Sequence, residues 1–258
     1  MRIAVLTVLL GFTAAPGFSG VADGIAFLDD GDVASAATEF AAAYEAGEPE
    51  GAFYLGRLFE LGLGTEQDEM RAANLYSAAV DAGSVRAQVR LGLMYHEGRV
   101  LLRDYAEGTR LLCAAADAGD ADGQLNCGLA YQIGRGVAEN TEQAVTYWQM
   151  SADQGNILAM NVLGQYQLDL GDVDAAKAHF LQAADLGNAG GMFEYAKLLA
   201  DTDIVTAYAY ANLAVVRGLN DAALWRDRIE AEMTVEDIAA GQAKARTWTE
   251  ERIRAEAE

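Results

Sequence analysis

Few side chains in this sequence are of the types that most often do chemistry. The two histidines, His96 and His179, lie outside any His-x-x-x-His or glutamate-paired pattern that would hold a metal ion. No Gly-x-Ser-x-Gly elbow and no Ser-x-x-Lys pair is present to supply an activated serine. We therefore predict no catalytic residues, no metal site and no cofactor, and we expect both histidines to be packed or surface side chains.

The two cysteines are the strongest remaining candidates for chemistry. Cys113 and Cys127 each lie seven residues from Asp120. If a helical hairpin turns near Asp120, residues equidistant from the turn lie opposite one another, and an oxidising compartment would allow a disulfide. The alternative is a pair of buried thiols. The Cys-x-x-Cys spacing of a redox centre is absent, so a bridge here would be a structural staple.

The elements that position these residues follow a repeat of 36 residues. A Leu-Gly pair, or its equivalent Cys127-Gly128, recurs at this period, and so do an aromatic residue, a loop glycine, a polar Asp or Asn and a closing glycine. In the same order, the repeated residues are Leu55, Leu91 and Cys127; Phe59, Tyr95 and Tyr131; Gly62, Gly98 and Gly134; Asp68, Asp104 and Asn140; Gly83, Gly119 and Gly155. Self-similarity at a fixed period indicates a repeat architecture.

Each repeated position has a physical reason. Residues four apart, as in Gly51, Leu55 and Phe59, share one face of a first helix. The glycine beside the leucine allows a second helix to approach closely, and the loop glycines are typical of helix C-caps. Asp and Asn are preferred N-cap residues, which suits the start of the second helix. The repeating unit is therefore predicted to be an antiparallel helical hairpin.

The second-helix pattern extends beyond the strict period, because it also starts at Asp32, Asp172 and Asp203. One hairpin cannot bury its apolar stripe alone, so we predict an all-α, right-handed superhelical solenoid of about six helix-turn-helix repeats in a single domain. A capping pair of helices follows, the last starting at a capping box over residues 234–237. The predicted parts are an N-terminal cap (23–50), full repeats (51–86, 87–122 and 123–158), shortened repeats (159–218) and a C-terminal cap (219–258).

The unit resembles the Sel1-like repeat (SLR), a relative of the tetratricopeptide repeat. The three full repeats match best, and the stretch Gly134-Arg-Gly-Val-Ala-Glu-Asn140 is close to the consensus loop. The resemblance implies a protein-interaction adaptor. It also links exported bacterial members to envelope signalling, exopolysaccharide control and host-cell interaction. Exported cysteine-rich members bridge the same pair of helices that would hold Cys113 and Cys127, with cysteines closer to the turn.

The first residues are typical of a secretory signal peptide. One positive charge at Arg2 precedes a short apolar run, small residues follow up to Ala22, and no acidic residue occurs before Asp23. We predict that residues 1–22 are a signal peptide cleaved near Ala22, which places the mature protein in the periplasm or outside the cell. The alternative is a buried N-terminal helix. The run is too short to span a bilayer, which needs about 20 residues.

The charge balance argues against several classes of partner. The 258 residues include 39 Asp and Glu against 18 Lys and Arg, a formal net charge of -21. Nucleic-acid binding and docking on anionic lipid both need clustered Lys and Arg. The chain is also 52% hydrophobic, which argues against a disordered acidic tail. We predict no nucleic-acid partner and no membrane span, and we interpret the carboxylates mainly as a solvated surface.

A partner is expected to bind the concave face lined by the first helices. The candidate positions are equivalent positions of successive first helices, and each set of equivalent positions forms a column. Packing within the hairpin does not use these columns, and their side chains vary between repeats. Such variation is expected of a binding groove and equally of a surface that faces only solvent. A mixture of Tyr, Arg, Leu and Asn favours a peptide or protein segment. The candidate residues are Tyr54, Arg90 and Asn126 in one column and Arg57, Leu93, Leu129 and Gln165 in the next.

These observations together predict a non-enzymatic, exported adaptor. It would bind an envelope or secreted protein in its concave groove, because a complete repeat pattern occurs without a catalytic constellation. A regulatory role in envelope signalling or exopolysaccharide production is what the family resemblance implies. The alternative is a module that binds peptidoglycan or polysaccharide, or an accessory to an envelope hydrolase.

Overall fold

The computed structural model describes residues 20–257, which form fourteen α-helices and no β-strand. None of these helices is both long and apolar enough to cross a membrane. The all-α helical-repeat fold predicted from the sequence is confirmed. The helices are α1 (Val21–Asp29), α2 (Val33–Glu45), α3 (Pro49–Leu61), α4 (Glu69–Asp81), α5 (Val85–Glu97), α6 (Tyr105–Asp117), α7 (Ala121–Gln132), α8 (Thr141–Asp153), α9 (Ile157–Asp169), α10 (Val173–Asp185), α11 (Ala189–Leu199), α12 (Ile204–Val216), α13 (Asp221–Glu230) and α14 (Val235–Ala257).

The predicted signal peptide lies largely outside the described residues. Its residues 1–19 precede the described range, and the predicted cleavage position near Ala22 falls in the first turn of α1. Val21 packs against a buried cluster that includes Phe40 and Leu58. The signal peptide and its cleavage position remain predictions.

The chain divides into two compact units, the first ending at Arg103 and the second beginning at Asp104. In the first unit, each helix from α1 to α4 packs against the next helix along the chain. In the second unit, the same holds from α6 to α12, and both α13 and α14 pack against α12. Each unit is therefore built from successive helical hairpins. The single domain predicted over residues 23–258 remains a prediction.

The loop at the end of the first unit departs from the repeat pattern. Gly64 and Gly136 stand at the third position of the other two long loops, with φ of 68° and 74°. Val100 stands at this position in the middle repeat, and every described residue with a positive φ is a glycine. A left-handed backbone is sterically costly for a β-branched residue. The loop over residues 98–103 therefore follows a different backbone path from the other two.

The second helices begin at the predicted N-caps, whose side chains accept a hydrogen bond from the backbone N–H three residues further on. A cap of this kind contributes about 1 kcal/mol. The six confirmed caps are Asp32, Asp68, Asp104, Asn140, Asp172 and Asp203. The same kind of bond caps four first helices, which the sequence pattern did not predict, at Ser84, Asp120, Asn156 and Asn188.

The predicted glycine C-caps are confirmed at two of the three positions. Gly62 and Gly98 are the C-caps of α3 and α5, and both are in the left-handed conformation. At the third position the prediction was wrong by one residue. Helix α7 ends at Gln132 with Ile133 as its C-cap, and Gly134 follows with a φ of 64°. The loop after α7 therefore keeps Gly134 in the left-handed conformation, whereas α7 is one residue shorter than α3 and α5.

A glycine beside the core leucine position allows close helix packing, as predicted. A Cβ atom on Gly56 would lie 2.7 Å from Cε1 of Tyr76, and one on Gly128 would lie 2.6 Å from Cδ1 of Trp148. Both rings belong to second helices and are fully buried. The large side chain of the second helix therefore occupies space that only glycine leaves free.

The pair of helices predicted after the repeats is present as α13 and α14. Helix α13 ends at Glu230, and α14 continues for 23 residues to Ala257. The predicted capping box is confirmed. The N–H of Asp237 donates to Oγ1 of Thr234 at 3.1 Å, and the N–H of Thr234 donates to Oδ2 of Asp237 at 3.3 Å. Helix α14 then packs along α12, with Gly241 buried against Tyr208.

Candidate partner-binding surface

The predicted contact residues of the first unit lie on α3 and α5. Tyr54 on α3 is half-buried. Its ring stacks on Phe40 with the centroids 4.8 Å apart, and its hydroxyl accepts a hydrogen bond from Arg86 at 2.5 Å. Leu93 on α5 is also half-buried. The ring orientation of Tyr54 is therefore fixed, and only part of its surface is available to a partner.

Glu60 joins the two arginines predicted to contact a partner. Nη1 of Arg57 donates to Oε2 of Glu60 at 2.6 Å, and Nη2 of Arg90 donates to Oε1 of Glu60. The hydroxyl of Tyr76, on α4, donates to Oε2 of Glu60 at 2.5 Å. The Glu60 side chain is only 13% exposed, against 32% for Arg57 and 35% for Arg90. These four residues, the Glu60 cluster, connect α3, α4 and α5, and both arginine side chains remain partly exposed.

Electrostatic interactions within the Glu60 cluster favour its ionised form. Burial acts to raise the pKa of Glu60. The hydrogen bond from Tyr76 and the guanidinium groups of Arg90 and Arg57 outweigh burial and hold the pKa below its ordinary value. Burial and the Glu60 carboxylate raise the pKa of Tyr76. Burial acts to lower the pKa of Arg90, but its bond to Glu60 outweighs burial and raises it. At neutral pH the cluster therefore contains one carboxylate, two guanidinium ions and a neutral phenol.

A small cavity adjoins the Glu60 cluster. Its volume is about 50 Å³, and Glu60, Arg90, Leu93 and Glu97 contribute to its wall. Sites for small molecules usually measure about 300–1,000 Å³, so this cavity holds water at most. Binding at this part of the first unit would therefore take place on the surface formed by the first helices.

The predicted contact residues of the second unit lie on α7 and α9. Nδ2 of Asn126 donates to the backbone oxygen of Asp122 at 2.8 Å, and Nε2 of Gln165 donates to Oδ1 of Asp169 at 3.0 Å. Both bonds stay within one helix. Leu129 is half-buried and packs against a buried cluster of the second unit, whereas Gln165 is exposed. Leu129 is therefore partly used by the core. A role for these residues in binding remains a prediction.

The predicted pairing of the two cysteines is confirmed. Sγ of Cys113 on α6 and Sγ of Cys127 on α7 form a disulfide, with the Cα atoms 4.9 Å apart. Cys113 is half-buried, and Cys127 is fully buried at the position that leucine occupies in neighbouring repeats. The disulfide joins the second helix of one repeat to the first helix of the next.

The two histidines lie on α5 and α10. Within residues 20–257, no group of three or more His, Cys, Asp or Glu side chains is placed to hold a metal ion. Burial lowers the pKa of His179, outweighing a hydrogen bond with Gln182 and the charge of Asp153. His179 is therefore a neutral, half-buried side chain on α10 at neutral pH. His96 on α5 is half-buried as well.

The columns of equivalent repeat positions did not predict the Glu60 cluster. Arg57 and Arg90 fall in different columns, and Glu60 lies outside both. The three-residue spacing between Arg57 and Glu60 is the one signal that could have indicated a contact, because residues at i and i+3 are neighbours on a helix. The hydroxyl of Tyr76 reaches Glu60 from another helix, and periodicity does not encode such a contact.

Comparison with known families identifies the repeat. A family model for the Sel1 repeat matches residues 49–84, 85–120, 121–156 and 157–188. The chain belongs to the Sel1 repeat family. Its first three Sel1 repeats begin two residues before the predicted boundaries, and the fourth is shorter because the loop between α9 and α10 is shorter than that between α7 and α8. Sel1 repeats mediate protein–protein interaction, and Sel1 repeat proteins are generally non-catalytic scaffolds.

Solved structures share this Sel1 fold. The crystal structure of a Sel1 repeat protein from Oxalobacter formigenes gives a TM-score of 0.72 at 21% identity, covering 89% of this chain and 95% of that chain. A protective antigen with an SLR fold from uropathogenic Escherichia coli gives 0.57 at 20% identity, covering 89% of this chain and 60% of that chain. At these identities the likeness shows the fold alone. A comparison with curated proteins found no match.

Proposed function

We propose that this Sel1 repeat protein is an exported adaptor that binds a protein partner through the first helices of its repeats. The observation that carries the proposal is a contrast between two kinds of position on these helices. The position beside the close-packing glycine is leucine in most repeats and is buried at Leu91 and Leu163. The predicted contact positions differ between repeats and reach solvent, as at Arg57 and Gln165. The buried positions therefore keep the helix packing the same between repeats, whereas the exposed side chains differ in charge and polarity.

In the first unit, the Glu60 cluster supports binding by orienting two arginines in advance. Because one carboxylate holds Arg57 and Arg90, less side-chain entropy is lost when a partner binds them. Each guanidinium carries five N–H donors, so donors remain after the bond to Glu60. Leu61, the last residue of α3, is 51% exposed and adds an apolar contact. Arginine and tyrosine are among the side chains that most often dominate interface binding energy.

An oxidising compartment is part of the proposal. The disulfide between Cys113 and Cys127 is of the kind that persists in the periplasm or outside the cell. The segment before Asp23 has the composition of a signal peptide. We therefore infer an envelope or secreted protein as the partner, and a role in regulating envelope signalling or exopolysaccharide production.

Site-specific photocrosslinking in cells tests the proposed contact surface. A p-benzoylphenylalanine residue placed at Arg57 or at Leu93 should crosslink the same partner protein. The matched control carries this residue at Asn74, an exposed position on the second helix α4. If the two first-helix positions capture nothing beyond what Asn74 captures, the proposed surface is wrong. Recovery of the protein only from the cytoplasmic fraction would contradict the proposed location.

A further inference from the structure

A cleft of about 430 Å³ lies in the second unit beside α14. Its walls come from α10, α11, α12 and α14, and three aromatic rings line it, those of Tyr195, Tyr210 and Trp248. Ligand sites commonly measure about 300–1,000 Å³ and combine apolar or aromatic walls with a few polar groups. The Sel1 repeat match ends at residue 188, before most of the cleft residues.

The cleft forms where the repeat pattern changes. Tyr195 occupies the position on α11 that the core leucine occupies on α9, where Leu163 is buried. Tyr195 is half-buried and meets Tyr210 edge to face, with the ring centroids 4.9 Å apart. Neither hydroxyl group has a hydrogen-bond partner within residues 20–257. The two rings therefore form an aromatic wall whose polar groups are available to a ligand.

Trp248 lines the cleft from α14 and is held in place by three neighbours. Interaction with its indole N–H acts to lower the pKa of Asp185, which burial raises. The guanidinium groups of Arg217 and Arg252 lie 5.6 Å and 5.7 Å from the centroid of its ring. A ring fixed in this way loses little entropy when a ligand packs against it.

Two opposite charges lie at the rim of the cleft. Lys244 and Glu251 are exposed residues seven positions apart on α14, a rise of about 10.5 Å along an α-helix. Nζ of Lys244 donates to Oγ1 of Thr206 at 2.5 Å, which leaves two of its three N–H donors. Glu251 has no ion pair or hydrogen bond with another side chain in the described range. Among the residues that line the cleft, Lys244 is therefore the positive group and Glu251 the negative group.

We propose that this cleft binds an extended segment of a partner polypeptide in which one acidic and one basic residue flank two apolar residues. The acidic residue of the segment lies at Lys244, the basic residue lies at Glu251, and an apolar residue between them enters among the three rings. This inference rests on the proposed adaptor function and adds the chemistry of the partner segment.

The geometry of a polyproline II segment fits the cleft. This conformation has three residues per turn and rises about 3.1 Å per residue, so residues i and i+3 lie on the same side about 9 Å apart. That distance is close to the spacing of Lys244 and Glu251 along α14. Aromatic-lined grooves are the sites that recognise polyproline II segments in other proteins. Proline between the two charges should therefore favour binding.

Fluorescence polarisation with the mature protein tests the role of the two charges. The probe is a labelled peptide that contains Glu-Pro-Leu-Lys between glycines, and its control contains Gln-Pro-Leu-Gln, which keeps the apolar residues and removes both charges. The first peptide should bind about fivefold more tightly, with a smaller difference at high salt. The double variant Lys244→Gln with Glu251→Gln should bind both peptides equally. Equal binding of both peptides by the wild type, binding of neither, or binding of a glycan fragment in their place would overturn the proposal.

A variant that fills the cleft tests the location. Thr247 lines the cleft on α14, and Thr247→Trp should weaken binding of the first peptide about tenfold by occupying the space between the rings. The matched control is Gln242→Trp, at an exposed position of α14 outside the cleft. Thermal unfolding followed by circular dichroism checks that both variants fold. If the two variants bind the peptide as the wild type does, the cleft is not the site.

The peptide assay also separates this inference from the proposed function. If crosslinking at Arg57 captures a partner but the wild type does not prefer the charged peptide, the cleft proposal is wrong and the adaptor proposal stands. If the wild type prefers the charged peptide but Arg57 and Leu93 capture no partner, the cleft proposal stands and the first-helix surface is wrong.

Discussion

The hydroxyl of Tyr76, on α4, donates a hydrogen bond of 2.5 Å to Oε2 of Glu60, on α3. The ring that carries this hydroxyl is completely buried and fills the space beside Gly56. Tyr76 therefore belongs both to the packing between two helices and to the polar cluster that orients Arg57 and Arg90. A change at Glu60 should consequently alter the stability of the first unit as well as its surface.

Replacing Glu60 by glutamine should destabilise the protein by about 1–3 kcal/mol. The substitution removes the charge that Arg57 and Arg90 share and weakens charge-assisted hydrogen bonds, which are stronger than neutral ones. Urea unfolding followed by circular dichroism measures the change. Glu66→Gln, at an exposed loop position, is the matched control and should change the free energy of unfolding by less than about 0.5 kcal/mol. Equal values for the two variants would contradict the importance of the cluster.

The contribution of Glu60 should depend on pH. Its pKa in the folded protein lies below the ordinary value of 4.5, so the folded state favours the ionised carboxylate. This contribution is fully present above pH 4.5 and is lost as the pH falls through the folded-state pKa. The difference in unfolding free energy between wild type and Glu60→Gln should therefore shrink between pH 6 and pH 3. A difference that is constant over this range would show that the charge of Glu60 contributes nothing.

Removing the disulfide should destabilise the second unit by about 3 kcal/mol, the value expected for closing a loop of about 15 residues. The double variant Cys113→Ala with Cys127→Ala removes the bond without leaving a buried thiol. Thiol titration of the denatured wild type should find no free thiol before reduction and two afterwards. Two reactive thiols in the unreduced protein would contradict the bonded state.

Adding one methyl group at Gly128 should destabilise the protein by about 1–3 kcal/mol, because overpacking forces neighbouring groups to move. A Cβ atom there would lie 2.6 Å from Cδ1 of Trp148 and 3.0 Å from the backbone oxygen of Ala144. Thermal unfolding measures the effect. Gly190→Ala on α11 is the matched control, because its Cβ would meet only Oδ1 of Asn188, at 3.2 Å. That variant should be neutral, or stabilised by up to about 1 kcal/mol through helix propensity. A similar loss at both sites would contradict this account.

Local regularities explain why much of the fold could be predicted. An N-cap such as Asp104 and a close-packing glycine such as Gly56 act within a few residues or at a fixed helical phase, so their spacing in the sequence is informative. The pairing of Cys113 with Cys127 followed from the same logic, because the turn near Asp120 sets which residues face each other. The early end of α7 was missed because a difference of one residue at a helix end depends on local hydrogen bonding.

The parts that could not be predicted depend on contacts between side chains of separate helices. Glu60 is important because Arg90 and Tyr76 reach it from α5 and α4, and their reach is not encoded by the period of the repeat. The cleft beside α14 depends on how a helix outside the repeat pattern packs against α12. Tyr195 could have indicated this site, because it replaces the leucine that most other first helices carry at this position. A single replacement does not reveal which residues pack near it.

The disulfide lies across the junction of two repeats, and the turn that it spans is exposed at residues 117–119. A protease that cuts this turn would produce a nicked chain, because the two fragments stay covalently joined until a reductant reaches the sulfur atoms. Secreted proteases would therefore have to cut elsewhere to separate the halves of the molecule.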